Sequence, residues 1–113
     1  MTYAYRHVDL VRVIDGDTVR LMVDMGNHIR WTQDFRLAGI DTPERGKPGA
    51  AEATAHLSNL ISNGIAGIET YKPDKYGRYL VDIYVSTSGG ELLVNKLMVI
   101  DGHAKPYDGG KKI

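Results

Sequence analysis

Three β-forming runs within the first 38 residues, cut apart by the dipeptides Asp15-Gly16 and Gly26-Asn27, commit this chain to a fold that begins as an antiparallel meander. From Tyr5 to Ile14 the residues alternate, with Val8, Leu10, Arg12 and Ile14 on one face and Val11 and Val13 on the other. Their β-branched content favours a strand. Asp15-Gly16 then predicts a hairpin turn through the positive φ that glycine tolerates, and Thr18 to Met25 returns as the second strand. Ile29 to Ala38 forms the third, carrying Trp31, Phe35 and Leu37 at alternate positions.

After a polar loop from Pro43 to Pro48 the period changes. Ala50, Ala53, Leu57, Leu60 and Ile61 recur at helical spacing, Glu52 suits a first turn, and Asn63-Gly64 supplies a left-handed stop. Gly67 to Tyr71 and Tyr79 to Val85 read as two further strands, joined by a loop that holds Asp74 to Arg78. Val94, Leu97, Met98 and Asp101-Gly102 mark a short second helix with its cap. Five strands with a helix after the third predict an α+β, mainly β, chain: a five-stranded OB-type Greek-key barrel with two packed helices. At 113 residues there is length for one core and not two, so residues 5–108 are expected as one domain and 109–113 as a short, frayed basic tail.

Composition removes several classes of function. With no cysteine there is no disulfide framework, no thiolate nucleophile and no zinc–sulfur site. His7, His28, His56 and His103 show no ligand spacing, and Ser58, Ser62, Ser86 and Ser88 lack a nucleophile-elbow context. No apolar run reaches signal-peptide or membrane-span length, so a cytoplasmic protein with no membrane partner is expected. Lysine plus arginine (14) balances aspartate plus glutamate (14), and any attraction to nucleic acid must therefore be local to one face.

Chemistry gathers in three segments, Asp15 to Thr18, Arg36 to Glu44 and Asp74 to Arg78. Asp17 and Asp41 each stand at a strand end beside a threonine, placed to hold a hard divalent cation at about 2.1 to 2.6 Å, although a turn aspartate also bonds its own backbone. Arg36 and Arg78 could fork hydrogen bonds onto one phosphate, an arrangement worth roughly 10³ to 10⁵ in rate, where a lone surface arginine is worth little. Glu44 follows the rigid bend at Pro43 and could orient or deprotonate a water. Lys75 and Tyr76 could grip a flanking phosphate and stack on a base, or form an ordinary loop. Trp31 and Phe35 read as core or barrel surface rather than as a stacking platform. Acids for a cation and arginines for a phosphate meet most simply in a metal-assisted phosphodiester site.

Taken together, Val13-Ile14-Asp15-Gly16-Asp17-Thr18-Val19, Phe35-Arg36-Leu37 through Ile40-Asp41-Thr42-Pro43-Glu44, Asp74-Lys75-Tyr76-Gly77-Arg78 and, more loosely, Leu93-Val94-Asn95 resemble the staphylococcal nuclease family. The resemblance implies an OB barrel and a calcium-dependent endonuclease, cutting DNA and RNA at the 5′ P–O bond to leave 3′-phosphate ends. It makes Asp17 and Asp41 the Ca²⁺ carboxylates, the Thr42 backbone carbonyl a further ligand, and Asp15 an acid just behind the metal. Arg36 and Arg78 become phosphate clamps and Glu44 the water-handling residue, while Lys75, Tyr76 and Tyr107 hold the substrate end. Single-stranded or flexible DNA and RNA are the implied partners. The family's third, C-terminal helix has no counterpart here, from which a homo-oligomer covering the uncovered face is expected. The reading from another class is a non-catalytic nuclease-like OB module that binds nucleic acid or a protein partner.

Overall fold

A computed structural model describes residues 2–71, 73, 77–108 and 111–112. In chain order its elements are β1 (Thr2–Tyr5), β2 (Val8–Asp15), β3 (Thr18–Asp24), β4 (Arg30–Leu37), β5 (Ile40–Asp41), α1 (Ala50–Ile61), β6 (Gly67–Tyr71), β7 (Tyr79–Thr87), β8 (Gly90–Leu93), α2 (Val94–Ile100), β9 (Lys105–Asp108) and β10 (Lys111–Lys112). The expected meander is β2, β3 and β4, paired antiparallel throughout. What closes it is the segment before: β1 pairs with β6 while β2, just past a break at Arg6 and His7, pairs with β3. The order β1-β6-β7-β4-β3-β2 therefore returns on itself through one bent strand, with β4 and β7 joined in parallel. This is the anticipated α+β, mainly β, OB-type barrel.

Two details of the first hairpin depart from the expected pattern. Register shifts between Leu10 and Arg12, and again between Val13 and Asp15, interrupt the alternation. A bulge adds one residue to one strand and so exchanges its faces. Val8 and Val13 accordingly turn toward the core opposite Val23 and Val19, whereas Val11 is left exposed. Gly16, for its part, does not have the positive φ expected of it. Space is its reason: a Cβ there would lie 2.7 Å from the Ala53 Cβ on α1 and 3.1 Å from Thr42 Oγ1.

Helix α1 buries Ala53, Leu57 and Ile61 as its spacing predicts, and its chain ends through Gly64 at φ 109°. These side chains meet Val19, Leu21 and Val23 of β3, Phe35 and Leu37 of β4, Val81 and Ile83 of β7, and Val94 and Met98 of α2. The α2 helix matches expectation too, closing on Gly102 at φ 83°. Short β5, β8, β9 and β10 were not anticipated. Lys111–Lys112, expected to fray, pairs antiparallel with β9. Among the described residues no helix is long and apolar enough to cross a membrane.

Asn95 on α2 ties the layers together although it is only 3% exposed. Its amide donates to the carbonyls of Ala38 (2.9 Å) and Val81 (3.0 Å) and to Asp82 Oδ1 (3.1 Å), and its oxygen accepts from the Ile83 N–H (3.1 Å). A buried amide satisfied on this scale fixes the β4–β5 turn against β7. Beside it the Tyr71 hydroxyl donates to Asp82. Burial pushes the Asp82 carboxyl above its ordinary range and the charge of Glu69 adds to this, with Tyr71 opposing.

Two outcomes follow from this packing. Gly16→Ala should cost about 1 to 3 kcal/mol by overpacking against Ala53, measured by urea unfolding, and the same hairpin should recover when Ala53→Gly is combined with it. A carboxyl whose folded pKa is raised contributes stability in full below its unfolded value of about 3.9, and loses it as pH rises through the folded value. Unfolding free energies of Asp82→Asn, compared with the parent from about pH 3.5 upward, should lack that decline.

Candidate nuclease site

Pairing of β3 with β4 sets Thr18 opposite Arg36, and the Leu37 N–H donates to the Asp17 carbonyl at 2.8 Å. Asp17 thus enters beside Arg36 at the end of the barrel. Five residues later the chain has reversed through Gly39 at φ 76°, so that β5 brings Asp41 back to the same arginine. Arg36 Nη2 lies 3.1 Å from Asp41 Oδ1 and 3.5 Å from Asp17 Oδ2, and Nη1 donates to the Ile40 carbonyl at 3.4 Å. One guanidinium nitrogen reaches both carboxylates. Its own residue is 9% exposed, and the Tyr107 ring covers it with the centroid 5.1 Å from Cζ, close enough for a cation–π contact.

Asp17 is oriented from both sides. Thr18 Oγ1 donates to its Oδ1 at 3.1 Å, and the Thr42 N–H donates to its Oδ2 at 3.2 Å. Asp15 meets Arg45 Nη2 at 3.2 Å, and the same nitrogen donates to the Ile14 carbonyl at 3.3 Å. Asp34, on the rim, accepts from Arg20 at 2.7 and 3.4 Å; that hydrogen bond, aided by the arginine's charge against slight desolvation, holds its carboxyl below the ordinary range.

A cleft of about 510 Å³ collects these groups, lined among others by Asp15, Asp17, Arg36, Asp41, Thr42, Glu44 and Arg78. Seven of the ten residues expected at a site therefore share one space. Tyr107 reaches it only through Arg36, and Lys75 and Tyr76 lie outside the described residues. Arg78 and Glu44 are exposed side chains at the mouth, whereas Arg36 and Thr42 are buried in the wall. Arg45, which steadies Asp15, was not anticipated from the sequence; the signal available was its place directly after Glu44.

As a cation site the wall is made of oxygen donors, two aspartates with carbonyls nearby, which suits a hard divalent ion. Among the described residues no cluster of three or more acids and histidines gathers to hold a metal. Two carboxylates would have to be completed by backbone, water or substrate oxygens, and an anionic phosphate beside two arginines supplies such oxygens. The donor set fits.

A sequence model of the family described as staphylococcal nuclease homologue matches residues 34–112. The chain belongs to the staphylococcal nuclease family. It is 33% identical over 104 residues to a micrococcal nuclease of Shigella flexneri, an alignment that covers 88% of this chain and 57% of that protein. An uncharacterized endonuclease of Escherichia coli is 31% identical over 102 residues, covering 90% and 61%. A probable staphylococcal-like nuclease of Oryza sativa subsp. japonica is 37% identical over 77 residues, covering 66% and 20%. The chain thus spans about three-fifths of the length of the two bacterial relatives.

Removing the cation from this wall should be costly to the fold itself. Arg36→Gln leaves two neighbouring carboxylates without their shared partner and is expected to destabilise by about 2 to 4 kcal/mol, read from chemical denaturation at neutral pH.

Proposed function

We propose that this chain is a metal-dependent nuclease that hydrolyses phosphodiester bonds in DNA and RNA. The observation that carries the reading is the meeting of Asp17 and Asp41 on one buried arginine, in a cleft that also holds Glu44 and Arg78. Relatives named as nucleases and an endonuclease support the same class of reaction. Calcium is the metal we propose, held by Asp17 and Asp41 with the Thr42 carbonyl as a third oxygen; when bound, it supplies Lewis-acid polarisation of a phosphoryl oxygen.

The chain's own groups account for the rest. A scissile phosphate set between Arg36 and Arg78 has its charge balanced by two guanidinium forks, which gain strength as charge grows on the phosphoryl oxygens. Glu44 accepts the proton of a water that attacks phosphorus on the side opposite the 5′ oxygen. The P–O5′ bond breaks, the 5′ oxygen takes up a proton from solvent, and the phosphate stays on the 3′ oxygen. Asp15, braced by Arg45, sets the hairpin that carries Asp17. Lys75, Tyr76 and Tyr107 are proposed to hold the distal end of the substrate. In-line attack needs a strand free to rotate its backbone, which favours single-stranded or flexible nucleic acid as substrate.

Digestion of denatured DNA with added Ca²⁺, and again with chelator, tests the reading. Cleavage should require the ion and leave 3′-phosphate ends; Arg78→Ala should lower the rate by about 10³-fold or more and Glu44→Gln by about 10² to 10⁴. A wild-type protein that binds DNA but cuts none under either condition would overturn it in favour of a binding module.

A further inference from the structure

A second cleft, of about 430 Å³, opens on the other side of Tyr79. Tyr3 and Tyr5 of β1, Trp31 of β4, Tyr71 of β6 and Pro73 line it with Tyr79 itself. Its described walls are uncharged and rich in rings. Tyr79 belongs to both clefts, while Arg78, its neighbour in sequence, belongs to the acidic one alone. The two spaces thus share Tyr79 as a common wall and differ in chemistry, acids and arginines lining the one and mainly rings the other.

Phe35 is fully buried, as expected of core. Trp31 is not: it meets Phe35 edge to face at 5.2 Å and Tyr79 at 5.3 Å, but stays half-buried with part of its ring in the cleft. Perpendicular neighbours hold both rings in place. Tyr3 stands 58% exposed at the entrance, a large ring left in water by the strand that closes the barrel. Among the described residues the walls carry rings and no charge, so they offer a phosphate little, but every base has a π-face that can stack there.

We propose that this aromatic cleft is a base-stacking subsite for the nucleotide adjoining the phosphate held in the acidic cleft. The inference rests on the nuclease reading for that phosphate. It also specifies the strand: a base enters only when it is unpaired, because the faces it would present are otherwise covered by its neighbours in a duplex. Stacking on tyrosine and tryptophan is tolerant of sequence, so little preference among the four bases is expected.

Trp31 is the only tryptophan of the chain and sits in the proposed subsite, so its emission reports occupancy directly. A single-stranded oligonucleotide titrated in chelator should quench it, and the same length of abasic phosphate chain should not. Tyr3→Ala should weaken binding of the oligonucleotide by about five- to a hundredfold in fluorescence polarisation, while Tyr3→Phe keeps it and neither changes the affinity for the abasic chain. An oligonucleotide that fails to bind, binds without quenching, or binds Tyr3→Ala as well as the parent overturns the subsite. Quenching by a protein that cuts nothing with Ca²⁺ would remove the nuclease reading and keep the subsite; cleavage without quenching would do the reverse.

Discussion

One buried guanidinium organises this molecule. Arg36 lies at the junction of the barrel and its acidic cleft, and it stabilises two aspartates that arrive from different strands, β3 by way of the hairpin and β5 after the chain has reversed. Its Nη2 lies within 3.5 Å of both carboxylates and offsets the repulsion between them. Tyr107 closes the back of the arginine, so β9 is enlisted as well. The same side chain thus has a structural task in the ground state and, on the proposed reading, an electrostatic one on substrate. On that reading the two tasks draw on the same nitrogen atoms.

Much of the barrel was legible because its signals are local. Alternation, glycine-bearing turns and a 3.6-residue repeat located the meander, α1, β6, β7 and α2 nearly at their observed ends. The missing pieces are non-local. Nothing within Thr2–Tyr5 announces that it pairs with a strand more than sixty residues away, and two-residue β5 is a strand only because β9 lies beside it. At Val11 the pattern was present but misleading, since one inserted residue exchanges inside and outside. Gly16 gave the right turn for a wrong reason: crowding by a helix that comes later in the chain, not backbone handedness, requires it.

The candidate site divides along the same line. Residue types and order were enough to place seven of the expected groups around one cleft, because short motifs at strand ends travel with their own turns. Their relations were not readable. That Arg36 would be buried and shared, that Arg45 would brace Asp15, and that Asn95 would carry four hydrogen bonds behind the site are facts of tertiary distance. The aromatic cleft is a further case, assembled from four strands whose rings have no common sequence signature.

The 2.7 Å approach at Gly16 makes the back of α1 a mechanical boundary condition on Asp17. Hairpin and helix meet through a missing methyl group on one side and a single methyl on the other, with no side chain between them to absorb a change. Volume added or removed on that helix face would be transmitted along the hairpin to the carboxylate it carries. Positions 16 and 53 consequently act as one dimension of the chain. Its setting could be retuned from the buried face of α1, where Ala53 packs in the core.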